Sequence, residues 1–124
     1  MRTGKRILVA DDEPPILEVT KLILTDNGYT VITALDGSEA IEKARCQLPD
    51  LILLDMIMPG MNGLQICDIL KSDLKTQSIP LVMFSVLAGE NARGEALRHG
   101  FAGYIVKPFT PEELLMEVQR RTNA

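Results

Sequence analysis

No apolar run in this 124-residue chain approaches the ~18–20 residues of a membrane span. The N-terminus leads from Met1 through Lys5 straight into a short strand-like run, without the apolar core of a signal peptide. The chain is therefore read as a soluble, cytoplasmic protein with no membrane partner. An excess of basic charge is also missing: 13 Lys+Arg stand against 17 Asp+Glu, for a net charge of −4, and no stretch forms a basic stripe. Direct contact of these residues with nucleic-acid phosphates is thereby excluded. Cysteine is scarce. Cys46 and Cys67 lack metal-ligand spacing and have one histidine, His99, to help them, so they are expected to be reduced thiols facing the core. There is no repeat, no low-complexity stretch and no linker. Residues 1–124 are read as one domain, large enough to hide roughly two thirds of the surface of its unfolded chain without staples.

What is present is regular alternation. Five apolar runs of strand length occur at Arg6 to Ala10, Thr30 to Leu35, Leu51 to Leu54, Pro80 to Ser85 and Gly103 to Val106, with helical periodicity between them. Ile16, Val19 and Ile23 are the expected buried stripe of the first helix, closed by Gly28. Asp36 with Glu39 opens the second helix in a capping box, burying Ala40, Ile41 and Ala44. Asn62 with Gln65 opens the third, whose apolar residues are Leu64, Ile66, Ile69 and Leu70. Thr110, Pro111, Glu112 and Glu113 start the last with an N-cap, a first-turn proline and acids. The fourth, about Gly89 to His99, has only Ala92, Ala96 and Leu97, and Gly94 interrupts it at a cost of ~1 kcal/mol. It is predicted to be the weakest helix. Five strand–helix alternations predict an α/β domain, a doubly wound five-stranded parallel sheet of order 2-1-3-4-5, flavodoxin-like. In that order the first and third strands are neighbours, and the ligand crevice lies outside their carboxyl ends.

The acidic surplus falls at that crevice. Asp11 and Asp12 follow the first strand and Asp55 follows the third. For Asp12, ahead of Glu13-Pro14-Pro15, helix capping is the competing structural role. Three carboxylates in one crevice repel, so without a cation at least one pKa must rise. Mg²⁺, which suits carboxylates and water, and Lys107, at the end of the fifth strand, are the two candidate cations. Three carboxylates, one Mg²⁺ and one lysine sum to about zero. If Asp55 attacked a phosphoryl donor, the aspartyl phosphate would carry about −2 and leave the site about one negative charge in excess. That excess would draw in donors, and Ser85, at the end of the fourth strand, offers a hydroxyl. Phosphorylation would then pull on the fourth strand's end and on the weak helix behind it.

These residues carry a family likeness. From about Lys5 to Gln119 the sequence resembles a two-component response-regulator receiver domain of the chemotaxis-regulator type. The likeness rests on Asp11-Asp12, the stretch Asp55 to Gly63, Ser85 thirty residues past Asp55, and Tyr104 with Lys107-Pro108-Phe109. The resemblance implies that Asp55 is the phosphoacceptor and that Asp11, Asp12, Asp55 and the backbone carbonyl of Ile57 hold Mg²⁺. It implies that Lys107 pairs with the acceptor and then with the phosphoryl group, that the Lys107–Pro108 bond is cis, that Ser85 is the switch hydroxyl, and that Tyr104 turns inward with it. It further implies phosphoryl transfer from a sensor histidine kinase or histidine phosphotransfer protein docking at the first helix and the active-face loops. Output would pass through the face of helix 4, strand 5 and helix 5 to a downstream effector protein or output domain, with a phosphorylation-dependent homodimer on the same face. The domain is thus a phosphoacceptor and not a turnover enzyme.

Several positions specialise the pattern. Val86 follows Ser85 where the family usually has alanine or glycine, which narrows the approach of a phosphodonor. Ile57 and Leu87, two residues beyond Asp55 and Ser85, are apolar where faster-hydrolysing relatives often hold polar side chains, so slow autodephosphorylation is expected. Two other classes compete. An aspartate-nucleophile phosphohydrolase would need a second aspartate two residues after the nucleophile, where Asp11 offers only Glu13, and room for a cap domain. A receiver-fold protein-binding module that no longer uses phosphorylation would not need the side chains that are all present here. A flavodoxin-like electron carrier is disfavoured because no Ser/Thr/Gly-rich phosphate loop follows the first strand.

Overall fold

A computed structural model of the chain describes residues 4–86 and 89–122. The elements are β1 (Arg6–Ala10), α1 (Pro14–Asp26), β2 (Thr30–Ala34), α2 (Gly37–Gln47), β3 (Leu51–Asp55), the two-residue strands β4 (Ile57–Met58) and β5 (Met61–Asn62), α3 (Gly63–Lys71), β6 (Leu81–Ser85), α4 (Glu90–His99), β7 (Gly103–Val106) and α5 (Pro111–Thr122). The main sheet is parallel with order β2-β1-β3-β6-β7, which is the expected 2-1-3-4-5 winding once the antiparallel β4–β5 hairpin is set apart.

Strand periodicity divides the core in two, because successive side chains point to opposite faces. Leu8, Ile52, Leu54, Leu81 and Met83 pack with Ala40, Ala44, Ile66, Leu70 and Ala96, under α2, α3 and α4. Ile7, Val9, Leu51, Leu53, Val82 and Phe84 pack with Leu17, Leu24, Leu114 and Val118, under α1 and α5. β3 and β6 are buried at every residue, as central strands covered on both faces must be. Their carboxyl ends therefore form a rigid platform on which polar groups can be held. No helix among the described residues is long and apolar enough to cross a membrane.

The caps follow the sequence closely. Asn62 and Gln65 form a full capping box. Thr110 accepts from the Glu113 N–H while Glu113 accepts from the Thr110 N–H. At α2, Asp36 accepts from the Glu39 N–H, but Glu39 reaches one residue further back, to the Leu35 N–H. As predicted, α4 is poorly anchored: it starts at Gly89 without a side-chain cap, and Ala96 is its one buried residue among those described.

Other expectations are corrected. The buried stripe of α1 is Leu17, Thr20 and Leu24, whereas Val19 is exposed and Ile16 and Ile23 are half-buried. The two candidate stripes lie about 100° apart on the helix, and two leucines outweigh the threonine between them. β2 stops at Ala34, and Leu35 is exposed. Ile69 and Leu97 also face solvent, since the core-facing positions are taken by Ala40, Ile41 and Ala44 on α2, Leu64, Ile66, Cys67 and Leu70 on α3, and Ala96 on α4. Cys67 is buried, but Cys46, in the last turn of α2 two residues past the buried Ala44, is exposed.

Leu48 ends α2 in the left-handed conformation, with φ 46° and ψ 64°, and it is half exposed. An L-residue there costs roughly 1–2 kcal/mol, part of which glycine returns through its larger unfolded-state entropy. Leu48→Gly is expected to raise unfolding stability by about 1 kcal/mol in urea denaturation; unchanged or lowered stability would contradict the strain.

Candidate functional site

The site is built where three strands end. β1 pairs Ala10 with Leu54 of β3, so Asp11, one residue beyond β1, comes level with Asp55, the last residue of β3. The Asp11 N–H donates to the Ala34 carbonyl, 3.1 Å away, and its side chain is fully buried. One Asp11 oxygen accepts from the Glu13 N–H at 2.9 Å, turning the chain into α1, where Glu13 is the N-cap and Pro14 and Pro15 fill the first turn. The capping role considered for Asp12 is therefore not the one it has; Asp12 is exposed at the rim. Carboxylate oxygens of Asp11, Asp12, Glu13 and Asp55 lie within 4.8 Å of one another. Glu13 is the member that sequence reasoning missed, although it directly follows the acidic pair.

Lys107 enters from the opposite side. Its N–H donates to the Ser85 carbonyl at 2.8 Å, which fixes the residue beside the end of β6, and the Lys107–Pro108 bond is cis as the resemblance implied. The ammonium is 2.5 Å from Asp11 Oδ2, 3.4 Å from Asp55 Oδ2 and 3.8 Å from Glu13 Oε1. Its nearest partner is thus Asp11, not Asp55, with which the resemblance implied that it pairs. On its other side it lies over the Phe84 ring, 5.4 Å from the centroid.

The loop after Asp55 is a small hairpin. Ile57 pairs with Asn62 and Met58 with Met61, around a Pro59-Gly60 turn in which Gly60 has φ +82°, as the third position of a type II turn requires. The hairpin returns so closely that a Cβ on Gly63 would lie 2.9 Å from the Asp55 carbonyl oxygen. A glycine at that position is thus what lets α3 start against the end of β3. The Ile57 N–H points to Asp55 Oδ1 at a long 3.4 Å.

Electrostatics follow from burial. Asp55 is pushed up from 3.8 to about 6, first by loss of solvent and then by the Asp11 charge; Lys107 and the Ile57 N–H offset part of this. The carboxylate that must shift in a crowded crevice is therefore the one at the end of β3. Burial alone would lower Lys107, but its hydrogen bond to Asp11 and the charges of Asp55 and Asp11 raise it above the ordinary lysine range. The donor set consists of hard carboxylate oxygens, and ligands on opposite sides of Mg²⁺ are separated by about 4 Å, so the cluster's dimensions fit that ion.

Ser85 ends β6, almost fully buried, one residue beyond the Asp55–Phe84 pair. Tyr104, half-buried on β7, borders a cavity of about 70 Å³ lined by Met56, Leu64, Met83, Ala92 and Glu95, and the Arg93 guanidinium lies 5.7 Å from its ring centroid. Ile57 and Val86 are largely exposed at the rim; Leu87 lies outside the described residues. Cys67 is remote from the site, its thiol bonded to the His99 carbonyl and pushed up to about 11 by burial.

Because the folded chain holds the Asp55 proton more tightly than the unfolded chain does, ionisation of Asp55 costs stability, a cost that grows as pH rises from about 4 to about 6 and then stays level. Asp55→Asn should therefore stabilise the protein in chelator at pH 7 by roughly 1–3 kcal/mol, a gain that fades towards pH 4. A gain independent of pH, or none, in paired denaturation curves would contradict the shift.

The response regulator receiver domain profile matches residues 7–119. The chain is 40% identical over 116 residues to the phosphate regulon transcriptional regulatory protein PhoB of Klebsiella pneumoniae, covering 94% of this chain and 51% of that one. It is 37% identical to the DNA-binding response regulator MtrA of Mycolicibacterium smegmatis, covering 94% of this chain and 50% of that one. The chain spans about half the length of these relatives. Among solved structures, the chemotaxis response regulator CheY4 of Vibrio cholerae superposes with a TM-score of 0.91 at 34% identity, over 96% of this chain and 99% of that one. The receiver domain of the sensor histidine kinase PA1611 from Pseudomonas aeruginosa, with a magnesium ion coordinated in its active site cleft, superposes with a TM-score of 0.90 at 28% identity, over 98% and 100%. Acidic crevice, winding and sequence thus agree, and the chain belongs to the response regulator receiver domain family of two-component signal transduction.

Proposed function

We propose that this chain is a phosphorylation-dependent switch in which Asp55 accepts a phosphoryl group from a histidine kinase or a histidine phosphotransfer protein. The observation that carries the reading is the convergence of a buried Asp55 with three further carboxylates and the Lys107 ammonium at the carboxyl ends of β1, β3 and β7. Asp11, Asp12 and Asp55, with the Ile57 carbonyl, would hold Mg²⁺, which when bound supplies charge neutralisation to the phosphoryl oxygens.

An Asp55 carboxylate oxygen attacks phosphorus; the bond from phosphorus to the donor nitrogen breaks, and its electron pair leaves on the donor imidazole. At neutral pH Asp55 is mostly ionised despite its raised pKa, so the nucleophile is available. The product carries about one negative charge more than the carboxylate did. Lys107, already 3.4 Å from Asp55 and shared with Asp11, is the resident cation that can turn to the new oxygens. The remaining excess draws the Ser85 hydroxyl, and movement at the end of β6 changes the packing of α4, the least anchored helix, and of Tyr104 beside its cavity. Output then passes through the α4–β7–α5 face to an effector protein or output domain, or to a second copy of the chain. The DNA-binding role named for the relatives would belong to such a partner domain and not to the acidic surface of these residues.

The side chain of Ile57 is apolar and exposed, and Leu87 in the sequence is likewise apolar, so neither residue type offers a hydrogen bond to orient an attacking water, which supports a long-lived phosphoprotein. Incubation with acetyl phosphate and Mg²⁺ is expected to add one phosphoryl group by intact mass, and Asp55→Ala to add none. Continuous release of phosphate would indicate a hydrolase, and no adduct on the unaltered chain a binding module; either result overturns the reading. Decay of the adduct should be far slower than seconds and accelerate severalfold in Ile57→Asn; a half-life of seconds in the unaltered protein would refute slow hydrolysis.

A further inference from the structure

The strand order puts β6 between β7 and β3, so the Lys107 side chain must cross the end of β6 to reach Asp55 and Asp11. The residue it crosses is Phe84. Phe84 is paired directly with Asp55 in the β3–β6 register, is fully buried, and presents its ring beneath the Lys107 ammonium, 5.4 Å from the centroid. The ring is itself held: Phe109, two residues past Lys107, stacks on it with centroids 5.0 Å apart and planes inclined by 28°. The lysine is therefore enclosed by carboxylates on one side and by an aromatic face on the other.

Resting on the phosphoacceptor reading above, we propose that Phe84 is a positioning residue for the reaction of Asp55, its ring face holding the Lys107 ammonium at the level of Asp11 and Asp55. An ammonium crossing an aliphatic side chain loses water on that side and receives nothing back. The negative face of an aromatic ring returns part of the loss, and its pull is directional. With the ring in place, the ammonium stays 2.5 Å and 3.4 Å from the two buried carboxylates. Without that pull, the exposed Glu13, 3.8 Å away at the rim, becomes a better solvated competitor for the same charge. Lys107 would then spend less time where phosphoryl oxygens develop, and preorganised charge at that point is what lowers the barrier. Phe84 needs no contact with the phosphoryl group for this. Sequence alone hides the role, because Phe84 reads as one more apolar residue of a buried strand.

The test separates ring electrostatics from packing. Phenylalanine at position 84 is replaced by mono-, di- and trifluorophenylalanine, which keep the shape of the ring but progressively weaken its negative face. The rate of adduct formation from acetyl phosphate with Mg²⁺ is followed by intact mass, alongside Phe84→Leu and Phe84→Tyr. The proposal expects a graded fall along the fluorinated series to about threefold to tenfold below the unaltered rate. Phe84→Tyr should keep most of the rate, and the thermal stability of the fluorinated proteins should stay unchanged. A flat rate across the series, even with a slow Phe84→Leu, would reduce Phe84 to packing and overturn the proposal. Failure of the unaltered chain to form any adduct would instead remove the phosphoacceptor reading, so the two failures are distinct.

Discussion

One buried ammonium holds the functional end of this domain together. Lys107 lies between the Asp11 and Asp55 carboxylates, all three side chains being almost wholly removed from water. Removing such a partner from a buried ion cluster leaves uncompensated charge and costs far more than the pair itself contributes. The arrangement is therefore not an aid to stability but a constraint that the fold meets for another purpose. Lys107 is shared unequally, closer to Asp11 than to Asp55, which leaves Asp55 under-compensated and its proton held up to about pH 6. That imbalance leaves the Asp55 carboxylate open to an added cation or hydrogen-bond donor.

The rest of the molecule divides into parts that hold the cluster and parts that can respond to it. β1, β3 and β6 are packed on both faces, and their ends carry Asp11, Asp55 and Ser85 without freedom to drift. The hairpin between Asp55 and α3 is pinned by the close approach of Gly63 to the Asp55 carbonyl. Against this rigidity stands α4, with one buried residue among those described and a glycine at its N-cap. Under the proposed phosphorylation, α4 is therefore the helix whose shift would disturb the least buried packing.

Much of this was legible in the sequence, and the exceptions have physical reasons. Period-two and period-3.6 patterns located the sheet and its winding, because buried parallel strands and capped helices leave few other readings of this chain. The acids at the strand ends were legible for the same reason. The inward face of α1 was misread because Thr20 looks polar yet packs between two leucines, and Cys46 was misread because a thiol carries no sign of which side of a helix it is on. Glu13 looked like part of a helix start and is a fourth carboxylate at the cluster. That Lys107 sits closer to Asp11 than to Asp55, and that Phe84 lies beneath it, depend on how far a long side chain crosses three strand ends. No spacing in the sequence encodes that distance.

The charge balance at Lys107 is tested most directly by titrating the Asp55 side-chain carboxyl with carbon NMR in metal-free solution, in the unaltered protein and in Lys107→Met. The account predicts a midpoint at about 6 in the unaltered protein and a clearly higher one in the variant, since the charge that offsets burial and Asp11 is gone. A midpoint near the ordinary value of 3.8, or one that does not move when Lys107 is replaced, would contradict it.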